Sequence, residues 1–501
     1  MHANPQADPR RWKALIFIGI AQLMVVLDTT IVNIALPSAQ HDLGISDGNR
    51  QWVITAYTLA FGSLLLFGGR IADLTGRRRA FVIGLLGFAG ASALGGLAAN
   101  PGMLLGARAL QGVFGALLAP AALSLLAVTF TEPRERAKAF GIYGAISGAG
   151  GAVGLILGGV LTEYLNWRWA LFVNIPFAVA AVVGAVTVVR EPAGSRNGAR
   201  LDIPGVILAT AGLLSLVYGF TRAESDGWTA PLTLGLFIGS ALLLGTFVLV
   251  ESRVRAPLLP LRVVTERNRG GIYLSLGLAV IGMFGLFLFL TYYLQVVKGY
   301  SPVVTGFAFL PMVVGMVFGS TQIGTRLMTR LPPRFLMGPG FLTSALGIAL
   351  LTQIKVDSSY LGLVLPAQVL LGLGMGTAFM PAMSLATRSV QPQDAGVASA
   401  MISTSQQVGG SIGTALLNTV AAGATTNWLA SHARSGMKPA QLANEAAVHG
   451  YATAIWWAVG ILIVSATAAF VLINAGRQNG SSERERVGAA VDDAVPASAP
   501  H

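Results

Sequence analysis

The chain has 501 residues, of which 54% are apolar and only 11% charged, with 33 Lys and Arg against 21 Asp and Glu and a formal net charge of +12. An average soluble domain is about 25% charged, so this composition excludes a soluble enzyme and a disordered hub. The chain has no cysteine, which excludes a disulfide scaffold, a Cys-based metal site and a cysteine nucleophile.

In chain order, apolar runs of about 20 residues, long enough for helices across a 30 Å hydrocarbon core, lie at 14–37, 51–72, 80–99, 102–128, 138–161, 169–190, 204–221, 232–251, 271–294, 303–324, 335–353, 359–383, 396–421 and 451–474. The expectation is therefore an all-α polytopic protein of fourteen spans. An even number puts both termini on one side of the membrane. The first run is too long for the h-region of a cleaved signal and is expected to stay in the protein. His2, His41, His432, His449 and His501 all fall outside the runs, so no histidine proton relay is expected within the membrane.

Basic loops resist translocation and stay cytoplasmic. With the N-terminus inside, 25 of the 33 Lys and Arg fall in inner segments, among them Arg70, Arg77, Arg78 and Arg79 after the second run. The basicity then lies against the inner leaflet, and no nucleic-acid partner is implied. Both termini are predicted to be cytoplasmic.

Internal similarity suggests a duplicated bundle. L-L-A-P-A-A-L-S-L, ending at Leu125, recurs as A-F-M-P-A-M-S-L, ending at Leu385, about 260 residues on. The expected organisation is a cytoplasmic segment (1–13), a six-helix bundle (14–190), a two-helix insert with its linkers (191–270), a second six-helix bundle (271–474) and a disordered cytoplasmic tail (475–501).

Charges inside the hydrocarbon are costly and usually face a cavity or a partner. Two stand out, Asp28 and Arg108. Counted at 1.5 Å per residue from opposite edges, they reach nearly the same depth, so they are expected to face one another in the outer half of the first bundle. Burial disfavours a charged carboxyl and a guanidinium favours it, so alternating surroundings can switch a proton on and off. Asp73, beside Arg77 and Arg78, is expected to form a charge network gating the inner face. Gly150, Gly154 and Gly158, spaced by four and followed by Gly159, strip one helix face for close approach, and a tight interface between the bundles is expected there. No G-x-x-x-x-G-K-[ST] phosphate loop occurs, so no nucleotide cofactor is expected and an ion gradient is left as the drive.

L-D-T-T-I-V-N-I-A-L-P (Leu27 to Pro37), G-R-I-A-D-L-T-G-R-R-R (Gly69 to Arg79), R-A-L-Q-G-V-F-G from Arg108, W-R-W-A-L-F-V-N-I-P (Trp167 to Pro176), Y-Y-L-Q-V-V-K-G-Y-S-P (Tyr292 to Pro302) and Q-Q-V-G-G-S-I-G-T-A (Gln406 to Ala415) together resemble the major facilitator superfamily. Within it, the sequence resembles the fourteen-span drug:proton antiporters of the EmrB/QacA type. The resemblance implies the major facilitator fold, proton coupling at Asp28 and Arg108, and an inner gate at Asp73, Arg77 and Arg78. It also implies an antiporter motif at Gly150 to Gly159, although Leu155 stands where the motif usually has proline.

The expected function is export of a hydrophobic small molecule, cationic forms included, in exchange for protons. The site is a bacterial plasma membrane, with lipid and substrate as the partners and a monomer sufficing. The alternatives are a proton-coupled nutrient importer and a membrane sensor or scaffold that does not transport. Trp52, Tyr57, Phe287, Tyr292, Gln295 and Gln407 are the candidates for a substrate cavity between the bundles.

Overall fold

A computed structural model describes residues 10–130, 132–189, 202–254, 257–328, 330–387, 395–433 and 437–475. The tail beyond 475 and most of the expected linker at 191–201 lie outside the described residues.

The first group of helices is α1 (Arg11–Leu43), α2 (Trp52–Thr75), α3 (Arg77–Gly96), α4 (Pro101–Thr129), α5 (Pro133–Tyr164) and the short α6 (Trp169–Phe172) running into α7 (Asn174–Thr187). Two helices follow, α8 (Ile203–Ser225) and α9 (Pro231–Glu251), which pack on each other. A short α10 (Leu261–Thr265) leads to α11 (Arg267–Tyr292), which ends in a π-helical turn. A broken rod comes next: α12 (Pro302–Ala308), α13 (Leu310–Phe318), a π-helical stretch and α14 (Thr325–Met328). The last four are α15 (Arg334–Leu351), α16 (Leu365–Thr387), α17 (Ala395–His432) and α18 (Pro439–Leu472).

Proline begins α4, α5, α8, α9, α12 and α18 within their first two positions, where its missing N–H costs no helical bond. Asn100 caps α4 by accepting from the Met103 amide at 2.9 Å, and Gly44, at φ 64°, closes α1 in the left-handed region that favours glycine.

Twelve helices among the described residues are long and apolar enough to cross a membrane. Fourteen were expected, and the two not among these twelve are α5 and α17. Among the described residues the apolar part of α5 is Gly150–Tyr164, and α17 is rich in Ser, Thr, Gln and Asn.

One apolar core joins Leu27 to Ala39 of α1 with side chains of α11, α13, α15, α16, α17 and α18. The other half of α1, Ala14 to Val25, belongs to a second core shared with α2, α3, α4, α5 and α7. The two groups of helices are thus fused at the end distal to the N-terminus. At the proximal end the first group keeps a core largely of its own.

Candidate functional site

Asp28 and Arg108 meet in the interior of the first group. Arg108 Nη1 donates to Asp28 Oδ2 at 2.7 Å, and the two side chains are 2% and 0% exposed, respectively. The expected pairing is therefore direct, with no gap for a bridging water. Asp28 Oδ1 accepts from Gln111 Nε2 and from Asn174 Nδ2, both at 2.8 Å. Gln111 also takes an Arg108 Nη1 hydrogen bond at 2.8 Å, and Arg108 Nε donates to the Val53 carbonyl at 3.0 Å. Ser92 Oγ accepts from Gln111 at 2.7 Å and from Asn174 at 3.2 Å. The guanidinium lies 4.4 Å from the centre of the Tyr57 ring, a cation–π contact that strengthens away from water.

Five helices converge here: α1 brings Asp28, α2 Tyr57, α3 Ser92, α4 Arg108 and Gln111, and α7 Asn174. Helical spacing puts Arg108 and Gln111 on one face of α4. Gly112 lets α2 reach that face, because a Cβ there would stand 2.4 Å from the Tyr57 carbonyl oxygen. Gln111, Asn174 and Ser92 were not predicted. The signal was present for two of them, since Gln111 lies three residues after Arg108 and Asn174 interrupts an apolar run two residues before Pro176.

The distal end is held shut by polar contacts between the two groups. Arg50, in the connection between the first two apolar runs, is buried. Its guanidinium sits 4.0 Å from the Tyr292 ring centre and its Nε donates to Asn418 at 3.4 Å. Tyr292 donates to Gln40. Thr58 and Ser411 share a hydrogen bond of 2.7 Å, and Gln295 donates to the Ile34 carbonyl at 2.9 Å. Burial of these groups requires partners, and each partner lies on the opposite group of helices.

The six cavity candidates are therefore placed as contacts. Tyr57 is wholly buried in the first group under Arg108 and against Phe61 and Phe88. Trp52 packs beside Tyr218 of α8. Phe287 stacks on Phe309 at 5.1 Å. Tyr292 and Gln295 close the distal end, and the Gln407 Cβ lies 2.8 Å from where a Gly62 Cβ would stand. A narrow apolar pocket lined by Val32, Leu36, Leu104, Trp167 and Leu171 touches Arg108.

At the proximal end Arg78 donates to the carbonyls of Ala185 and Val186, at 2.9 and 2.6 Å. A cation there answers the negative end of α7. Arg77 opens α3, and the Asp73 side chain lies outside the described residues. The glycine stripe also differs from expectation. A Cβ on Gly150, Gly154 or Gly158 would meet Val26, Thr30 or Ile31 of α1, within the first group. Of the four, only Gly159 faces the second group, where a Cβ would stand 2.6 Å from the Pro302 carbonyl oxygen. One residue turns a helix by about 100°, so the stripe of three meets α1 and its neighbour meets α12.

A family model described as Major Facilitator Superfamily matches residues 18–414. The chain belongs to the major facilitator superfamily. It is 56% identical over 469 residues to a puromycin resistance protein of Streptomyces alboniger, covering 93% of this chain and 92% of that one. It is 40% identical to a cephamycin export protein of Amycolatopsis lactamdurans, over 84% and 87% of the two chains. Among solved structures, a bacterial homologue of the human lysosomal transporter Spinster, inward-facing and unoccupied, superposes with a TM-score of 0.65 over 93% and 97% of the two chains at 17% identity, a likeness of fold.

Proposed function

We propose that this superfamily member exports a small-molecule antibiotic from a bacterial cell in exchange for protons, with Asp28 as the proton-binding group and Arg108 as its counter-charge. The observation that supports the proton role is the buried Asp28–Arg108 pair, beside a pocket that reaches Arg108, where the helices of the first group converge. Its context is a chain 56% identical to a puromycin resistance protein. In this reading all fourteen helical rods cross the plasma membrane as in the EmrB/QacA branch, α5 and α17 included, with basic loops and both termini in the cytoplasm. The proximal end is then cytoplasmic and the distal contacts are the closed outer gate.

The chemistry follows from the carboxyl's two oxygens. Ionised Asp28 accepts from Arg108, Gln111 and Asn174 and holds α1, α4 and α7 together. A proton on it removes the Coulombic hold on Arg108 and replaces one acceptor by a donor, so the same cluster favours a different helix arrangement. Substrate entering from the cytoplasm and proton entering from outside would then occupy alternating conformations. The drive is about 2.3 kcal/mol per charge per 100 mV and about 1.4 kcal/mol per pH unit.

In inside-out vesicles with an acidic lumen, added puromycin should release luminal protons. No release on addition of puromycin or of a panel of related toxic compounds would overturn proton-coupled export. Asp28→Asn should abolish the release while the protein still inserts and folds. Saturation of Asp28 by three donors supports a second reading, in which the pair is a fixed pin between helices. Under that reading an Asp28→Asn variant that folds keeps its proton release.

A further inference from the structure

The base of the α8–α9 pair holds two more buried acids, distant in sequence and not part of the site above. Asp202 caps α8, its Oδ1 accepting from the Gly205 amide at 2.9 Å. Glu251 ends α9, its Oε2 accepting from the Leu259 amide at 3.0 Å. They are 6% and 3% exposed. Each keeps a second oxygen, Asp202 Oδ2 and Glu251 Oε1, that is buried with no donor among the described residues. Both oxygens lie over Gly205, where a Cβ would stand 2.5 Å from one and 2.7 Å from the other. The two spare oxygens thus share one small space beside Gly205.

Two carboxylates cannot both stay ionised at such a separation out of water. Leaving two buried acceptors unpaired also costs free energy. One proton resolves both problems, because Glu251 Oε1–H then donates to Asp202 Oδ2. We propose that Asp202 and Glu251 form a second protonation site, binding one shared proton, and that its occupancy fastens the segment 257–260 to the α8–α9 pair.

The segment matters because of what else holds it. Arg70 of α2 donates to the Pro257 carbonyl at 3.0 Å, and Leu258 and Leu259 are buried. It joins α9 to α10 and α11, so it ties the inserted pair to α2 and to the start of the second group. When the proton leaves for water, repulsion between the two carboxylates pushes Glu251 from Asp202 and loosens its hold on Leu259. Among the described residues, the other charged groups on elements ending here are Arg70, held by Pro257; Arg253, exposed; Arg262; and Arg269 with Glu266, an ion pair at 3.6 Å. The neighbouring α17 has no Lys, Arg, Asp or Glu. That the proton is exchanged with the cytoplasm rests on the orientation proposed above, whereas the existence of the site does not.

The test is hydrogen exchange of the full-length protein in nanodiscs between pH 6 and 9, corrected for intrinsic amide rates, read on a peptide covering 252–260. Wild type should lose protection at least tenfold as pH rises. Glu251→Gln keeps an acceptor for Leu259 and a permanent donor for Asp202, so its protection should stay high at every pH. Asp202→Asn should behave likewise, and Glu251→Ala should be unprotected throughout. A wild type insensitive to pH, or Glu251→Gln and Asp202→Asn variants as sensitive as wild type, would overturn the proposal. The readout needs neither substrate nor transport, so failure of the export reading would leave it standing.

Discussion

At an offset of 260 residues along the internal repeat, Arg108 of α4 corresponds to Gln368 of α16, and Gly112 to Gly372. Both polar side chains are buried, and both glycines let a neighbouring backbone approach, with a Cβ at Gly372 standing 2.1 Å from the Met312 carbonyl oxygen. The helix packing is kept while the electrostatics are not. Arg108 has the Asp28 carboxylate, the Gln111 amide, the Val53 carbonyl and the Tyr57 ring around it, whereas Gln368 donates once, to the Ala308 carbonyl at 2.9 Å. Duplicated scaffolds can therefore share close-contact geometry while only one carries a charge.

The comparison can be broken most severely with Gln368→Arg, which puts an unpaired guanidinium in the second half. The expected cost is several kcal/mol, read as loss of folded protein by size-exclusion chromatography; normal yield and melting would show that this half also has a place for charge. Next is Arg108→Gln, which makes the first half resemble the second but strands Asp28. Its expected cost is about 3–5 kcal/mol, most of it recovered in the double variant with Asp28→Asn, since replacing a whole buried pair is often nearly neutral. Thermal melting of the four members of that cycle checks this, and proton-coupled efflux should be absent in both variants that lack Asp28.

Smaller again is Asn174→Ala, which removes one of three donors to Asp28 and should cost about 1–3 kcal/mol while leaving the ion pair in place. Melting tests this, and a loss as large as that of Arg108→Gln would make the amide, not the guanidinium, the main support.

The smallest effect is expected at Glu266, which caps α11 in the second half outside the membrane span. Burial pushes its carboxyl up, but the amides of Arg269 and Asn268, the Asn268 side chain and the Arg269 guanidinium outweigh that and hold it below the usual range. A depressed acid stabilises above its unfolded value, about 4.3, and loses that contribution as pH falls through the folded value. Glu266→Ala should thus destabilise by about 0.5–2 kcal/mol at neutral pH, and the difference from wild type should shrink below about pH 4. Melting curves of both proteins across that range decide it.

Much of this was legible from residue spacing. Asp28 and Arg108 could be matched in depth because a helix rises uniformly, so opposite charges in two apolar runs could be placed at one level. Gln111 and Asn174 carried the same information more faintly, because an amide in an apolar run is less costly than a charge and has more uses. The contacts of Arg50 were not legible, for the opposite reason. It sits in a polar connection, and nothing local shows that Tyr292 and Asn418, more than 200 residues away, close over it. The glycine stripe could be read as a surface of close approach, but not as belonging to α1.

By itself the sequence determined that the chain is helical, apolar and repeated, and that one half has a charge pair at a common depth, because periodicity, hydropathy and helical rise are local quantities. Only the tertiary structure decided which faces meet. It put the stripe of three glycines on α1, Arg50 beneath Tyr292, Arg78 at the end of α7, and Asp202 against Glu251. Those outcomes depend on close packing between segments far apart in the chain, which no local pattern specifies.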